Sequence, residues 1–200
     1  MTAEPLAVQL EGSALARGLL RRAGWHVHFH GLPARQGVLI LYPHTSNWDF
    51  PVALLAKWAI GLQVTFWGKD TLFKLPLLGR WLRWLGGVPV DRAAPNGIVG
   101  QMAAALNEAR ERNRFLWLAL SPEGTRRPRA AWRSGFYHVA LQAGVPVALA
   151  YLDYRDREIG VQHFIHLTGN VALDMARISD VLAHRTGRHA KQAAPIRLET

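Results

Sequence analysis

Hydrophobic and polar positions follow two periods along this chain, and they predict helices and strands in turn. Residues 13–24 place Leu15, Leu19 and Leu20 on one side and arginines on the other, as in a short basic amphipathic helix. Residues 37–42 are apolar without a break, which is typical of a strand buried on both faces. The same reasoning predicts further strands at 25–30, 62–67, 88–90, 114–120, 145–154 and 160–167, and further helices at 46–60, 75–85, 97–112, 134–143 and 174–184.

This succession predicts an α/β fold with a mixed, mostly parallel central sheet flanked by helices. No internal repeat and no linker rich in proline, glycine or serine divides the chain, so we expect one domain overall. Within it, residues 1–36 form the N-terminal amphipathic helix and first strand, 37–170 the core, and 171–200 the C-terminal helix and a basic tail. The basic residues of that tail are expected to be solvated and partly flexible: Arg185, Arg188, Lys191 and Arg197.

The composition narrows the function classes. The 200 residues include 24 Lys and Arg against 14 Asp and Glu, which gives a formal net charge of +10. The absence of cysteine excludes a disulfide scaffold, a thiolate zinc site and a cysteine nucleophile. The positive charge and the 8 tryptophans indicate an anionic partner, and composition alone leaves a lipid surface and a nucleic acid open.

Neither a membrane span nor a secretory signal is expected. No segment of 18 or more residues is strongly apolar and free of charge, because Lys57 interrupts the longest candidate. Residues 1–12 carry Glu4 and Glu11 and lack the apolar stretch of a signal peptide.

Two polar loops follow predicted strands, where α/β folds commonly place their chemistry. In the first loop, His44 and Asp49 are separated by four residues at the start of a predicted helix. A carboxylate beside one imidazole nitrogen would fix the ring and leave the other nitrogen as a general base. The alternative is a simple helix start, in which Ser46 or Asn47 is the N-cap, Asp49 complements the helix dipole and His44 only packs.

The second loop combines a tight turn at Gly124 with Glu123 and several arginines, among them Arg126. Guanidinium groups and free backbone N–H groups in such a turn can form an anion site. Taken alone, the loop favours a solvated basic turn in which Glu123 makes a surface ion pair.

Two further patterns allow a functional and a structural interpretation. His26, His28 and His30 alternate along a strand and could chelate a metal, but three histidines without a nearby carboxylate favour a polar sheet face, so no metal site is expected. The helix at 75–85 bears Trp81 and Trp84 among leucines and arginines. It is either a membrane-docking face or a stripe that faces the core.

Together with the segments between them, the two loops resemble the glycerolipid acyltransferases, that is, the lysophosphatidic-acid (1-acylglycerol-3-phosphate) acyltransferases and their relatives. The chain has His-x4-Asp at 44–49, Gly-Lys at 68–69 leading to Phe-Lys-Leu-Pro-Leu-Leu-Gly at 73–79, Gly-Val-Pro-Val-Asp-Arg at 87–92, Pro-Glu-Gly-Thr-Arg at 122–126 and Val-Pro-Val at 145–147. A lone His-x4-Asp is a weak motif, whereas these family blocks together and in order are a specific one. The resemblance covers residues 38–154 and implies an acyltransferase-type single domain.

By this resemblance the chain is an O-acyltransferase in which His44 is the general base and Asp49 orients and charges it. The resulting alkoxide of the acceptor would attack the thioester carbonyl of acyl-CoA or an acyl-carrier protein, without a covalent acyl-enzyme, a cofactor or a metal. Binding of the acceptor head group is implied for six residues: Lys69, Arg92, Glu123, Gly124, Thr125 and Arg126.

The resemblance implies a lysophospholipid-like acceptor, with 1-acylglycerol 3-phosphate as the first choice. Three departures bear on that choice: Pro43 precedes the histidine where many relatives have Asn, Ser121 precedes the third block where many have Phe, and the loop after Thr125 is unusually basic. Glycerol 3-phosphate or a non-phosphate lysolipid is the alternative acceptor. A non-catalytic basic module that binds a membrane or a nucleic acid is the alternative from another class.

About 43 residues precede His44, too few for the long N-terminal membrane anchor that some relatives carry. We therefore expect a cytoplasmic enzyme that is peripheral on the inner face of a bacterial-type cell membrane. Its expected partners are the thioester donor, the lipid-like acceptor and an anionic membrane surface, which either the N-terminal amphipathic helix or the Trp81/Trp84 helix would contact. No nucleic acid is expected as a partner, and the sequence does not define the oligomeric state.

Overall fold

The computed structural model describes residues 7–90 and 97–199, with the backbone alone for residues 67–70, 72 and 89–90. Within these residues the strands are β1 (His26–Phe29), β2 (Gln36–Tyr42), β3 (Val64–Lys69), β4 (Gly87–Val90), β5 (Leu116–Leu120), β6 (Val147–Asp153) and β7 (Glu158–Ile165). The helices are α1 (Ala14–Arg22), α2 (Asp49–Ile60), α3 (Asp70–Phe73), α4 (Pro76–Trp84), α5 (Gly97–Glu111), α6 (Gly135–Ala143) and α7 (Val171–Leu182), followed by a 3₁₀ turn at Ala190–Gln192.

The strands form a seven-stranded sheet in the order β1-β7-β6-β2-β5-β3-β4. Neighbouring strands are parallel except for β6 and β7, which form an antiparallel hairpin. Strand β2 lies at the centre, with Val38 opposite Leu118 of β5 and Val147 of β6. The carboxyl ends of β2, β5 and β6 therefore meet at one edge of the sheet. This architecture confirms the predicted α/β fold with a mixed, mostly parallel sheet.

Helices cover both faces of the sheet, and the alternation of side chains along β2 explains the two layers. Val38 and Ile40 are fully buried in the core cluster that the sheet shares with α5, α6 and α7. Leu39 points the other way, into a cluster with Ile60 of α2. Helix α1 completes this second layer through Leu20, which is buried in a cluster shared with α2.

Most element boundaries fall within a few residues of the predicted ones, and the exceptions have local causes. Helix α2 begins at Asp49 instead of 46, because the Asp49 carboxylate accepts hydrogen bonds from the backbone N–H groups of Thr45 and Ser46 and holds both residues in a loop. Helix α7 begins at Val171, three residues earlier than predicted, because the side chain of Asn170 caps it. The four-residue helix α3 has no counterpart among the predicted elements.

The segment after α7 contradicts the prediction of a solvated, partly flexible tail. Residues 184–199 pack against the core, where Ala194 is only 1% exposed. The guanidinium of Arg185 is stacked on the Tyr151 ring at 3.6 Å and paired with Glu158 at 2.9 Å. Backbone groups of residues 184–199 form hydrogen bonds with loops of the core. A pattern of charges in the sequence does not reveal these bonds. The remaining basic residues of the segment are exposed, as predicted: Arg188, Lys191 and Arg197.

Candidate active site

The two loops with the predicted chemistry lie side by side at the carboxyl end of the sheet. His44 lies two residues after β2, and residues 121–126 follow β5, the parallel neighbour of β2. The backbone N–H of His44 donates a hydrogen bond to Oε2 of Glu123 at 2.6 Å, so the loops are joined directly. The topology thus unites two residues that are 79 positions apart in the chain.

His44 and Asp49 form a close pair at the start of α2. Nδ1 of His44 lies 3.1 Å from Oδ2 of Asp49. The ring N–H is not well aligned with this oxygen, and catalytic hydrogen bonds are commonly misaligned until substrate binding tightens them. The imidazole is 19% exposed while the carboxylate is fully buried. Nε2, on the far side of the ring from Asp49, is therefore the nitrogen that a substrate can reach.

The carboxylate of Asp49 is held on both oxygens. Oδ2 accepts hydrogen bonds from the backbone N–H groups of Thr45 and Ser46, each at 2.8 Å, and Oδ1 accepts one from the hydroxyl of Tyr154 at 2.9 Å. Burial by itself raises the pKa of Asp49, but the adjacent His44 ring and the hydrogen bonds from Ser46 and Tyr154 outweigh burial and hold the pKa below its usual value. A charged carboxylate fixed beside the ring is the arrangement that stabilises an imidazolium.

The N-cap that the simple helix start assigns is wrong, whereas Asp49 does lie in the first turn of α2, as that interpretation expects. The N-cap of α2 is Trp48, which makes no capping hydrogen bond through its side chain, so neither Ser46 nor Asn47 is the cap. The carboxylate of Asp49 turns back into the loop towards His44 instead of only facing the helix dipole.

Tyr154 is a site residue that the sequence analysis misses. It follows β6, the other parallel neighbour of β2, and its hydroxyl contacts Asp49. Burial and the neighbouring Asp49 raise the pKa of this hydroxyl, so it remains a donor to the carboxylate. A polar side chain at the end of a third adjacent strand is the signal that could have identified it.

Glu123 is buried and links two backbone segments by hydrogen bonds. It is 2% exposed, its Oε2 accepts the N–H of His44, and its Oε1 accepts the N–H of Ala194 at 2.9 Å. Burial raises its pKa, and the two N–H groups offset part of that rise. Because both oxygens are occupied by backbone donors, Glu123 is placed to position His44, and this burial does not favour the predicted contact with an acceptor head group.

The next three residues of the second loop line the same cavity as His44. Gly124 has a φ of 64°, and a Cβ atom there would lie 2.9 Å from Nε of Arg133, so the turn requires glycine. Thr125 is half-buried and Arg126 is exposed. The structure therefore brings Gly124, Thr125 and Arg126 to the same cavity as His44, and their contact with a substrate remains a prediction.

Two predicted ligands cannot be placed in the same way. Lys69 is the last residue of β3, a parallel neighbour of β5, so its backbone lies at the same edge of the sheet as the two loops. Its side chain and the whole of Arg92 lie outside the described residues. Both assignments stay predictions.

A cavity of about 1230 Å³ opens beside His44. At one end it is lined by His44, Arg126 and Arg133, and the remainder runs between α2 and the sheet. Ligand pockets typically measure about 300–1,000 Å³, so the space suits a large ligand. The wall of this second part is mostly apolar, with Lys57 as a polar member and alanines that leave part of the space open: Leu39, Ala53, Ile60, Val64, Ala119 and Ala150.

The histidines of the first strand do not gather into a cluster. His26 and His30 are exposed, and Nε2 of His28 lies 3.4 Å from Oε1 of Glu158. Over residues 7–90 and 97–199, no group of three His, Asp or Glu side chains is placed to hold a metal ion.

Helix α4 has one buried side and one exposed aromatic side. Leu82 is buried, whereas Trp81 and Trp84 are 45% and 70% exposed. The rings of Trp81 and Trp84 each lie 6.2 Å, centroid to centroid, from an aromatic ring of α2, namely Phe50 and Trp58. Among the helices of the described residues, none combines the length and apolarity that crossing a bilayer requires.

Known proteins give two similarities. A family described as "Acyltransferase" matches residues 26–151. The fold is similar to the crystal structure of the 1-acyl-sn-glycerophosphate (LPA) acyltransferase PlsC from Thermotoga maritima, with a TM-score of 0.56 and 18% identity over 84% of this chain and 73% of that chain. No curated protein matches the chain.

At this identity the likeness to PlsC shows the fold alone. The family match carries more, because it spans well over half of the chain and contains both the His44–Asp49 pair and the Pro-Glu-Gly-Thr-Arg loop. The family match supports an enzyme that transfers an acyl group from a donor to a lipid acceptor, and it disfavours the non-catalytic basic module. On this match and the fold together, the chain belongs to the acyltransferase family.

Proposed function

We propose that this acyltransferase moves a fatty acyl group from an acyl thioester to a hydroxyl of a lysophospholipid-like acceptor, with 1-acylglycerol 3-phosphate as the first choice. The observation that carries the proposal is the position of the His44–Asp49 pair between a basic entrance and an apolar cavity. The phosphate of such an acceptor matches the basic entrance, its free hydroxyl matches the His44–Asp49 pair, and the fatty acyl chain of the thioester matches the apolar cavity.

The proposed reaction starts at Nε2 of His44, which takes the proton of the acceptor hydroxyl while Nδ1 stays against Asp49. The hydroxyl oxygen attacks the carbonyl carbon of the thioester and forms a tetrahedral intermediate. The C–S bond then breaks, and the leaving thiolate receives the proton from the imidazolium. The products are an ester and a free thiol, and His44 is neutral again. The thiol carrier in this scheme is coenzyme A or an acyl-carrier protein.

The charge at the entrance favours an acceptor with a phosphate. Arg126 and Arg133 are exposed at the cavity, and the described ion pairs include neither of them. Arg129, which also lines the cavity, is paired with Glu199. Guanidinium groups bind phosphate through two parallel hydrogen bonds. From the family blocks, we also assign Lys69 and Arg92 to the phosphate.

The apolar part of the cavity fits a fatty acyl chain. Its floor is the sheet at Ala119 and Ala150, and its roof is α2 at Ala53. Each methylene group buried there contributes about 0.8 kcal/mol, so chain length should govern affinity until the space is full.

An apolar face beside the cavity gives lipid substrates a route to the site. We call the exposed aromatic side chains of α2 and α4 the docking face: Phe50, Trp58, Trp81 and Trp84. Phe50 also lines the cavity, so the docking face reaches the active site. Exposed Arg80 and Arg83 lie on the same helix α4. Each such basic side chain is worth about 1 kcal/mol near an anionic leaflet, and we propose peripheral binding to an anionic membrane on its cytoplasmic side.

Thiol release from an acyl thioester tests the reaction and its acceptor. The wild-type protein is given a thioester with 1-acylglycerol 3-phosphate, glycerol 3-phosphate, a lysolipid without phosphate, or no acceptor. We expect the highest kcat/KM with 1-acylglycerol 3-phosphate. Equal or faster turnover with either of the other acceptors would replace the proposed acceptor, and no acceptor-dependent release would contradict the function.

Sedimentation with vesicles tests the membrane. We expect the protein to pellet with anionic vesicles at low salt and much less with neutral vesicles or at about 1 M salt, where the Debye length is about 3 Å. Changing Arg80 and Arg83 together to Glu should reduce pelleting, whereas the matched change of Arg112 and Arg114, exposed near the end of α5, should not. Equal pelleting of the two double variants contradicts the docking face.

A further inference from the structure

Residues 186–199, which we call the strap, run across the carboxyl end of the sheet and contact both loops of the site. The strap follows α7 and contains the 3₁₀ turn at Ala190–Gln192. Nothing in the acyltransferase chemistry requires a segment at this place. Its contacts nevertheless fall on the residues that flank and hold His44.

The first contact is with Thr45, the residue after His44. The backbone N–H of His189 donates to Oγ1 of Thr45 at 3.2 Å. Gly187 is buried against the same side chain, and a Cβ atom at Gly187 would lie 2.6 Å from Oγ1 and 3.0 Å from Cγ2 of Thr45. It would also lie 3.2 Å from Cβ of Pro43. The strap therefore packs without spare room on the residues before and after the catalytic histidine.

The second contact reaches the N–H of His44 through one side chain. The N–H of Ala194 donates to Oε1 of Glu123, and Oε2 of Glu123 accepts the N–H of His44. The carbonyl oxygen of Ala194 accepts the hydroxyl of Tyr42 at 3.1 Å. The backbone of His44 is thus connected to the strap by two consecutive hydrogen bonds, at 2.6 and 2.9 Å.

The third contact ties the two loops to each other. With its NH₂ group turned towards them, the side chain of Gln192 donates to the carbonyl oxygens of Thr45 at 3.0 Å and Arg126 at 2.8 Å. One strap residue therefore fixes the distance between the loop that bears the base and the loop that bears the basic entrance.

The fourth contact concerns the support of Asp49. The N–H of Tyr154 donates to the carbonyl oxygen of Thr186 at 2.8 Å, and the guanidinium of Arg188 lies 5.9 Å from the centre of the Tyr154 ring. Tyr154 in turn donates to Asp49. The strap accordingly touches the support of both members of the catalytic pair.

We propose that the strap is a positioning element of the transfer reaction, which sets the backbone of His44 and its distance from the basic entrance. The inference rests on the proposed role of His44 as base. Misplacing a reacting group by about 1 Å can cost about 10²-fold in rate. Loosening the strap should therefore lower kcat while the apolar cavity, and with it donor binding, stays intact.

The test compares Gly187→Ala with Gly18→Ala. A Cβ at Gly187 pushes the strap away from Thr45, whereas a Cβ at Gly18 in α1 meets no atom within 4 Å. We expect Gly187→Ala to lower kcat about 10- to 100-fold, with donor KM within about twofold of wild type. Gly18→Ala should keep the wild-type kcat. Equal kcat values for the two variants overturn the proposal.

Rescue separates positioning from general damage. Thr45→Ala removes the two atoms that the new Cβ would strike, so the double variant Gly187→Ala/Thr45→Ala should be as active as Thr45→Ala alone. A double variant that is clearly slower than Thr45→Ala alone overturns the proposal. If Gly187→Ala does not fold, Gln192→Ala is the deciding variant, because it removes only one side chain from a half-buried position. We expect it to have a several-fold lower kcat at an unchanged melting temperature. An unchanged kcat overturns the proposal.

A readout without catalysis keeps this inference separate from the proposed function. Hydrogen exchange is measured on a peptide spanning residues 42–50, which contains the N–H of His44 that Glu123 holds. We expect faster exchange there in Gly187→Ala than in wild type and Gly18→Ala. If the wild type turns over no thioester but exchange still accelerates, the proposed function fails while the strap holds the loop; unchanged exchange overturns the strap itself.

Discussion

Replacing Asp49 by Asn removes one charge from the catalytic pair and leaves its shape nearly unchanged. The amide oxygen of Asn can keep the place of Oδ2, where the N–H groups of Thr45 and Ser46 converge, while its NH₂ group faces the hydroxyl of Tyr154, which can turn to accept. The loop should therefore stay folded. What the variant loses is the negative charge beside the imidazole.

The size of the loss follows from the distance between the two groups. Unit charges 3.1 Å apart attract by about 5 kcal/mol at an effective dielectric constant of about 20. This attraction stabilises the imidazolium that forms as the acceptor loses its proton. At 1.36 kcal/mol per factor of ten, we expect kcat to fall about 10⁴-fold, which matches the loss for the aspartate of a serine-protease triad.

A matched control lies in the same protein. Asp174 is also fully buried near the start of a helix, and it accepts hydrogen bonds from the backbone N–H groups of Thr168 and Gly169 and from the hydroxyl of Tyr137. Asp174→Asn should therefore cost a similar stability, about 1–3 kcal/mol, without touching a histidine. Turnover is followed by thiol release at saturating substrates, and stability by urea unfolding.

The comparison isolates the charge at the active site. We expect both variants to lose similar free energy of unfolding, and only Asp49→Asn to lose turnover by several orders of magnitude. If the kcat of Asp49→Asn stays within tenfold of that of Asp174→Asn, Asp49 does not stabilise an imidazolium and the mechanism is wrong.

Three further outcomes follow from the geometry. Arg126→Ala should raise the acceptor KM roughly 10- to 150-fold, because it loses about 1.5–3 kcal/mol of charge-assisted hydrogen bonding. The control Arg112→Ala should leave the acceptor KM unchanged. A rise in the donor KM alone would assign Arg126 to the donor site. Ala53→Phe, which fills the cavity, should slow long-chain thioesters far more than short ones, with Ala104→Phe on the exposed side of α5 as control; equal slowing at all chain lengths would place the chain elsewhere. Burial raises the pKa of Asp174, but its hydrogen bonds outweigh burial and lower that pKa in the folded protein. The ionised Asp174 therefore stabilises the fold at pH values above its unfolded pKa of about 3.9. This stabilisation is lost as the pH falls through the lower pKa of the folded state. The gap in unfolding free energy between wild type and Asp174→Asn should therefore shrink from about pH 5 downwards, and urea titrations that show a constant gap would contradict this sign.

Local patterns in the sequence predicted the strands and loops that depend on residues close together in the chain. The apolar run at 37–42 predicts β2, and the polar residues after it and after β5 predict two loops at one edge of the sheet. That β2 and β5 are parallel neighbours, which brings His44 to the Pro-Glu-Gly-Thr-Arg loop, is a finding of the structure. The fold class and the position of each loop at a strand end were therefore predictable, and the strand order was not.

Contacts made by backbone groups were not predictable. Every residue except proline carries an N–H, so nothing at Ala194 announces that its N–H binds Glu123. Glu123 accordingly resembled a surface carboxylate or a substrate ligand, when its burial makes it a link between backbone segments. The same reason hid the strap, since its scattered basic residues are visible in the sequence and the hydrogen bonds of its backbone are not.

The account depends most directly on His44 as the base that deprotonates the acceptor. The measurement is the thiol released by His44→Ala from an acyl thioester in the presence of the phosphate-bearing lysolipid, relative to wild type. General-base catalysis contributes about 10²–10⁴-fold, so we predict a loss of at least that order at an unchanged melting temperature, because His44 packs at the partly exposed end of the site. A folded His44→Ala protein that turns over the thioester within tenfold of wild type would contradict the central claim.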